Sequence, residues 1–283
     1  MKVLVTGASG FIGNYVVKQL LRLGHYVIAS SSNPEKAKAK SWFRDVTYIN
    51  LNLSDYNDDI NYFDFFFRPD IMIHLAWEGL PDFKGAFHVD INLPRHKAFL
   101  QNMICNGLRN LSVTGTCLEY GMQEGALHED LPVKPTTSYG IAKSELWNFL
   151  LELQSIYPVH VKWIRLFYMY GEGQNPKSLL SQLQMALDNH EEAFNMSRGD
   201  QSRDYLPVEK VAEYAIAIAL QQKVTGIINC CSGEPVTVKQ FVENYMIEKN
   251  RSIKLNTGFY DYPDYEPMHF WGDKTKLKTI LYE

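Results

Sequence analysis

The feature that most constrains this chain is its opening run, Val3-Leu4-Val5-Thr6-Gly7-Ala8-Ser9-Gly10-Phe11-Ile12-Gly13: an apolar strand, a turn with regularly spaced glycines, then the start of a helix. Gly7 lets the chain turn sharply off the strand, Gly10 lets the backbone approach a pyrophosphate, and Gly13 lets the helix pack closely on the sheet. A helix starting there offers free N–H groups and the positive end of its dipole to an anion. Glycines punctuate many strand–helix joints. Between a strand and an amphipathic helix, this spacing predicts a dinucleotide-binding turn formed by Gly7, Ser9, Gly10, Phe11, Ile12 and Gly13.

The rest of the first half repeats the strand–helix alternation. Strands are expected at Lys2–Val5, Tyr26–Ser30, Val46–Leu51, Ile71–His74, Leu111–Thr114 and Val159–Leu166. Helices are expected at Phe11–Leu23, Asn33–Ser41, Tyr56–Arg68, Phe87–Asn106 and Tyr139–Tyr157. Short apolar strands separated by helix-length segments imply βαβ units and a mostly parallel sheet covered on both faces. After Tyr170 the pattern loosens. Helices are expected at Ser178–Asp188, Pro207–Gln222 and Val238–Lys249, a strand at Gly226–Cys231, and a polar segment at Asn195–Arg203. The fold class is therefore α/β, a Rossmann-type doubly wound parallel sheet with a smaller α/β C-terminal substrate lobe. The dinucleotide-binding domain is assigned residues 1–166 and 207–231, and the substrate lobe 167–206 and 232–283. The aromatic-rich tail (Phe259, Tyr260, Tyr262, Tyr265, Phe270, Trp271) is expected to pack rather than to be disordered.

Composition narrows the partners. The 283 residues carry a formal net charge of -4 with no polybasic block, so neither nucleic acid nor an anionic membrane is expected as the main partner. No apolar stretch approaches the ~20 residues of a membrane span, and Met1 leads straight into the first strand with no secretory leader. Cys105, Cys117, Cys230 and Cys231 form no Cys-x-x-Cys pair and read as reduced thiols of a cytoplasmic protein. No metal is expected.

Tyr139-Gly140-Ile141-Ala142-Lys143 places a phenol and an ammonium on one face of a helix. A nearby cation stabilises phenolate, so Tyr139 is expected to exchange a proton closer to neutrality than a free phenol with pKa ~10. On any helix such a pair can be mere surface. Downstream of a dinucleotide turn it reads as general acid and its tuning cation.

With the turn Thr6-Gly7-Ala8-Ser9-Gly10-Phe11-Ile12-Gly13, these residues resemble the extended short-chain dehydrogenase/reductase family, the group of sugar-nucleotide epimerases, dehydratases and reductases. Further segments carry the likeness along nearly the whole chain: His74-Leu75-Ala76, Asn92, Arg203-Asp204-Tyr205, and Gly226-Ile227-Ile228-Asn229 with Ser232-Gly233. The resemblance implies a catalytic trio. Tyr139 protonates a carbonyl oxygen during hydride delivery, and Lys143 holds the nicotinamide ribose. Aligning Tyr120-Gly121 with the family's Tyr-Gly makes Thr116 the second hydrogen-bond donor, with Thr114 the competing hydroxyl. It also implies coenzyme contacts from Ser30, Ser31, Ser32, Asn52, Leu53, Leu75, Ala76, Trp77, Asn92, Thr114 and Leu166 besides the turn itself. Substrate contacts are expected from Glu78, Thr116, Cys117, Tyr168 and Arg203, with Arg203 the candidate for a nucleotide-sugar phosphate.

Departures from the family pattern are equally informative. Sugar-nucleotide 4,6-dehydratases carry Asp and Glu after the catalytic Thr, whereas Cys117 and Leu118 stand here and cannot eliminate water. Cys117 reads as a small loop residue rather than a reactive thiol. Tyr168 replaces an Asn that contacts substrate in many members. The segments at 74–79, 114–121 and 165–171 most resemble reductases of nucleotide-linked 4-keto-6-deoxyhexoses from polysaccharide and O-antigen pathways. Expected activity is NAD(P)H-dependent reduction of that C4 ketone, on a dTDP-linked sugar first and a CDP- or GDP-linked one next. A 4-epimerase with retained NAD and a non-catalytic dinucleotide sensor are the alternatives. The second strand ends in Ala29-Ser30-Ser31-Ser32-Asn33 with no carboxylate and with Lys36 and Lys38 nearby, which predicts NADPH (the NADP couple) over NAD. The Phe87–Asn106 and Tyr139–Tyr157 helices resemble those that pair across a two-fold axis in the family, and the second is apolar beyond one core-facing stripe, so a homodimer is expected.

Overall fold

A computed structural model describes residues 1–281. Seven strands form one sheet: β1 (Lys2–Thr6), β2 (Tyr26–Ser31), β3 (Thr47–Asn50), β4 (Ile71–His74), β5 (Asn110–Thr116), β7 (His160–Leu166) and β11 (Gly226–Cys230). Their order is β11-β7-β5-β4-β1-β2-β3, and every neighbouring pair is parallel. Because parallel strands need crossovers, helices fall on both faces. The alternation along each strand then fills two cores. Val3, Val5, Ile71 and Ile73 face α1 (Phe11–Arg22) and α7 (Val208–Leu220), while Leu4, Met72, Leu111 and Trp163 face α4 (Leu93–Cys105) and α5 (Ser138–Ile156).

The remaining elements are smaller. Helices α2 (Pro34–Lys38) and α3 (Tyr62–Phe65) flank the β2–β3 edge, and strand β6 (Gly125–Leu127) follows the β5 turn. Beyond β7 come β8 (Tyr168–Tyr170), α6 (Leu179–Asp188), β9 (Ala193–Met196), β10 (Ser202–Pro207), β12 (Pro235–Thr237), α8 (Val238–Glu248), β13 (Lys254–Thr257), β14 (Phe270–Gly272) and α9 (Thr275–Leu281). β8, β10 and β12 make a three-stranded sheet, β9 pairs with β13, and β6 pairs with β14. The β6–β14 ladder and the clustering of Leu277 with Ile228 and Ala215 tie the C-terminal segment back onto β6, β11 and α7.

Most elements lie where the periodicity puts them. Ile71–His74 matches residue for residue, and the sheet is wholly rather than mostly parallel. The 56–68 stretch differs: only Tyr62–Phe65 is helical. Asn57 folds its side chain onto the Asp59 amide at 2.9 Å, and Phe67 and Arg68 have φ of 58° and 53°, so local turns compete with the helix at both ends. The polar segment 195–203 contains the end of β9 and the start of β10, strands too short to show a period. In the tail, Phe270 is buried as expected while Phe259 and Tyr260 are more than half exposed.

Candidate active site

The order of strands reverses between β1 and β4, and in open α/β sheets the crevice beyond the carboxyl ends at that point receives ligands. Two adjoining clefts of about 340 and 410 Å³ lie there, sharing Gly7, Gly10, Leu75 and Trp77 as one trough. Gly7 has φ +67°, and a Cβ on it would stand 2.8 Å from the Ala76 nitrogen, so the β1 and β4 exits pass too closely for any side chain. A Cβ on Gly13 would overlap the Gly7 carbonyl. α1 starts without a side-chain cap on Gly10, leaving its first-turn N–H groups for an anion.

The first cleft is walled by Gly7, Ser9 and Gly10, then by Ser30, Ser31, Ser32 and Lys36, and across it by Leu53, Leu75, Ala76, Trp77, Glu78 and Asn92. Phe11, Ile12, Gly13 and Leu166 line the second cleft instead. Glu78, expected on the substrate side, therefore faces the first cleft. Asn52 and Thr114 line neither. Asn52 accepts from the Ser54 amide at 3.0 Å, and the Thr114 hydroxyl donates to the His74 carbonyl at 3.4 Å. Lys38 is engaged by Glu35 at 2.7 Å, which leaves Lys36 as the lysine facing the serines. Arg95 and His96 also line this cleft, unanticipated from the sequence. Asn92, Arg95, His96 and Phe99 stand at i, i+3, i+4 and i+7, so helical periodicity read from Asn92 was the signal available for them.

The second cleft contains both expected hydroxyls, on Thr116 and Tyr139. Thr116 ends β5, and its hydroxyl accepts from the Leu118 amide at 3.3 Å. Its own amide donates to Glu119 Oε1 at 2.7 Å, closing a Thr-x-x-Glu capping box. Glu119 is buried and also receives Trp163 Nε1 at 2.9 Å and Arg165 at 2.8 and 3.0 Å, anchoring the turn on β7. The Thr-x-x-Glu spacing was the signal available for this support, which went unanticipated from the sequence. The partners of Glu119 on β7 lie more than forty residues away and had no such signal. Thr137 caps α5 by accepting from the Gly140 amide at 3.1 Å. That sets Tyr139 in the first turn, where its amide donates to the Phe83 carbonyl at 3.0 Å. Segment 79–87 is thus pinned to α5, and Lys84 reaches Asp264 at 2.7 Å on the other side.

Lys143, one helical turn on, is buried and donates to the Thr114 carbonyl at 2.9 Å. Burial pushes its ammonium down to about 7, against an opposing pull from Glu119. Tyr139 departs from expectation. Burial, followed by the charges of Glu119 and Cys117, pushes its phenol above the ordinary value. The reason is geometric: the phenol lies among the rings of Trp77, Phe83 and His88, while the ammonium points to the Thr114 carbonyl, 5.8 Å from the Tyr139 ring centroid. Cys117 lines the cleft, and burial pushes its thiol well above the usual range, which suits a packing residue and not a nucleophile.

The opposite wall carries Phe167, Tyr168, Met169, Gln174, Asn175 and Glu266. The Tyr168 hydroxyl is buried with no hydrogen-bond partner among the described residues. Arg203 is absent from the lining. It is 2% exposed, ion-paired to Glu266 at 3.0 Å and bonded to the Ser202 and Met268 carbonyls at 2.9 and 3.0 Å. The expected phosphate contact is thus replaced by an internal pair, because Glu266 stands between the guanidinium and the cleft. Asp204 takes the Ser232 and Gly233 amides at 2.7 and 2.9 Å, and Tyr205 stacks on Phe241 at 3.8 Å, so the Arg-Asp-Tyr run here builds the wall.

Comparison with known proteins agrees with this geometry. The family model described as NAD dependent epimerase/dehydratase family matches residues 3–231. A dTDP-6-deoxy-L-talose 4-dehydrogenase (NAD(+)) from Aggregatibacter actinomycetemcomitans is 30% identical over 275 residues, covering 97% of this chain and 100% of the relative. A UDP-glucuronate 4-epimerase from Thermodesulfobacterium geofontis is 24% identical over 98% of this chain and 89% of its own. Among solved structures, MoeE5 in complex with UDP-glucuronic acid and NAD superposes with a TM-score of 0.84 at 23% identity, over 100% of this chain and 93% of its own. A UDP-glucuronic acid 4-epimerase from Bacillus cereus, as its Y149F mutant with NAD, gives 0.85 at 21%, over 100% and 94%. At those identities the two structures establish the fold, an α/β architecture with a large parallel sheet.

Proposed function

This chain belongs to the NAD dependent epimerase/dehydratase family, and we propose that it reduces the C4 carbonyl of a nucleotide-linked 4-keto-6-deoxyhexose. The observation that carries this reading is the pairing of two hydroxyls, on Thr116 and Tyr139, in a cleft where the positions between Thr116 and Glu119 are Cys117 and Leu118. Two donors converge on one oxygen, with no acid–base pair to expel water. The relative named as a 4-dehydrogenase of a dTDP-linked 6-deoxyhexose supports the substrate class, since 4-hydroxyl oxidation and 4-ketone reduction are one reaction run in two directions. Leu80, Phe83, Leu118 and Met169 add apolar surface suited to a C6 methyl group.

The glycine turn and the free N–H groups of α1 fit a pyrophosphate, Ser30–Ser32 with Lys36 fit the adenosine ribose, and Trp77 and Asn92 fit the nicotinamide end, with Lys143 outside the lining but against the Trp77 ring. When bound, the reduced dinucleotide supplies the hydride. Tyr139 donates its phenolic proton to the C4 oxygen, a role for which a phenol held protonated by burial is suited. Thr116 donates the second hydrogen bond to that oxygen. Lys143 holds the ribose hydroxyls and offers its charge as Tyr139 becomes phenolate. NADPH is the preferred coenzyme in this reading, because Lys36 faces the serines and the cleft's sole carboxylate side chain, Glu78, belongs to the β4 exit. The relative's own name specifies NAD(+), so both forms belong in the assay.

The enzyme would work in the cytoplasm, keeping its four cysteines as free thiols. Among the described residues no helix is long and apolar enough to cross a membrane. Pairing of α4 and α5 across a two-fold axis is proposed on the exposure of Leu151 and Ile156 on α5 and of Ile91 just before α4. The two-lobe division at 166/167, 206/207 and 231/232 is proposed on the same footing, with β6–β14 as the tie between lobes.

The test is a panel of freshly generated 4-keto-6-deoxy sugars on dTDP, CDP and GDP, with coenzyme absorbance followed. One reduced coenzyme consumed per sugar reduced is the expected result. A purified protein that carries stoichiometric NAD and interconverts two 4-hydroxy sugars with nothing added overturns the reductase in favour of the epimerase.

A further inference from the structure

Trp77 stands where the two clefts join, with three side chains set against it. The Lys143 ammonium lies 3.9 Å from its ring centroid. His96 stacks on it at 4.5 Å and 19°, and its indole N–H donates to His88 Nδ1 at 3.0 Å. An indole N–H can only donate, so His88 Nδ1 must be the acceptor and the ring proton must sit on Nε2. That nitrogen lies 2.6 Å from the Asp82 carbonyl, which can only accept, so the tautomer is fixed from both ends. On the other face, His96 Nδ1 meets His74 Nε2 at 2.7 Å, and His74 Nδ1 meets the Thr6 hydroxyl at 2.8 Å, so His96 is locked from beneath.

From this arrangement we propose that Trp77 is a positioning residue for Lys143, its ring face holding the ammonium in place and charged while His88 and His96 fix the ring. The proposal rests on the role given to Lys143 above. An ammonium has three N–H donors, and Lys143 spends one on the Thr114 carbonyl. Among the described residues no carboxylate pairs with it: Glu119, the acid whose charge acts on it, is taken up by Thr116, Trp163 and Arg165. The π face of Trp77 is therefore its principal electrostatic partner in the coenzyme-free protein, leaving N–H groups for a ligand's hydroxyls. The other titratable groups around it are Tyr139 on α5, His74 at the end of β4, His88 before α4 and His96 on α4. Burial lowers all three histidines, with Lys143 adding to the effect, so they stay neutral and bring no competing charge. Protonation of His88 would set an N–H against the indole N–H and break the lock.

The experiment is ¹⁵N NMR of lysine-labelled, coenzyme-free protein, with the Lys143 resonance identified by its loss in Lys143→Met. In Trp77→Leu the Lys143 midpoint is expected to fall by about one pH unit, the order of a desolvated cation–π contact. In Trp77→Phe, which keeps a ring face, it should fall by less than half as much. An unmoved midpoint in Trp77→Leu overturns the proposal. Should that variant not fold, His88→Asn, which frees the indole, is expected to lower the midpoint by a few tenths of a unit and to raise the KM for coenzyme about 3-fold; a wild-type midpoint and KM there overturn it equally. Because the titration needs no substrate, a shifted midpoint in a protein that reduces no keto sugar would sink the ketoreductase reading alone. An unmoved one in an active ketoreductase sinks only the role of Trp77.

Discussion

The two walls of the substrate cleft are made differently. Thr116, Tyr139 and Lys143 come from one turn and one helix, held by a capping box and by helical spacing. Tyr168, Arg203 and Glu266 come from β8, β10 and a segment sixty residues further on, held by an ion pair and ring contacts across the fold. A wall made of local geometry keeps its reactive groups whatever the lobe does. In a wall assembled from distant segments the charge that faces the cleft depends on how those segments meet, and here Glu266 lines the cleft while Arg203 does not.

Five measurements test that contrast, the strongest first. Glu119→Ala leaves Arg165 buried without its carboxylate and should cost ~3–5 kcal/mol in urea unfolding, since removing one partner of a buried pair strands the other. A loss near zero would mean the first wall does not depend on its anchor. Tyr139→Phe should cut turnover about 100-fold or more while coenzyme affinity stays within about 3-fold; near wild-type turnover removes Tyr139 from its role. On the other wall, Glu266→Gln and Arg203→Met should each raise the KM for nucleotide sugar about 10-fold with little change in kcat, the size of one lost charge-assisted bond. If Glu266→Gln instead lowers KM, Arg203 is the phosphate ligand the family resemblance implies, and the internal pair merely masks it.

The fourth measurement is a pH titration of stability. His74 is held neutral down to about 3 by burial, with the Lys143 charge adding to it, whereas in the unfolded chain it takes a proton near 6.5. Below that pH the unfolded state binds more protons, so stability falls as pH falls between about 6.5 and 3, by about 1.4 kcal/mol per unit for this group. His74→Asn should show a shallower acid limb, and an unchanged limb would assign the acid sensitivity elsewhere. The smallest effect is expected from Lys36→Ala: about a 3-fold drop in the ratio of kcat/KM for NADPH to that for NADH, because the lysine is exposed and screened. A ratio unmoved, or below one in the wild type, removes the NADPH preference.

Legibility from sequence followed the same division. The strands, the glycine turn and the Tyr139–Lys143 helix rest on short-range periodicity, and Thr116 on the family likeness of Tyr120-Gly121; the structure brings Gly7, Gly10, Thr116 and Tyr139 to one trough. Glu119 was missed: its capping role had a local signal in the Thr-x-x-Glu spacing, but its pairing with Arg165 had none, because nothing local links β5 to β7. Arg203 could be placed near the lobe's opening strand, yet its direction depends on Glu266, which no spacing connects to it. The tuning of Tyr139 failed for a related reason. Helical spacing brings Lys143 alongside, but burial by Phe83, Trp77 and His88, which arrive from the 77–88 segment, outweighs it.

The turn after β5 also bears on how such an enzyme can acquire new chemistry. Gly115 has no room for a Cβ beside Trp163, and Thr116 and Glu119 are committed to the frame. The two side chains between them, Cys117 and Leu118, project into the cleft, and neither takes part in that anchoring. Reaction type and scaffold are therefore encoded at interleaved but separable positions: an acidic pair can be exchanged into 117 and 118 while the anchoring carboxylate and its arginine stay as they are. A chain built this way keeps the anchor of its turn apart from the side chains it shows to the cleft, although Cys117, packed with Tyr120, Phe167 and Phe270, answers to the core as well.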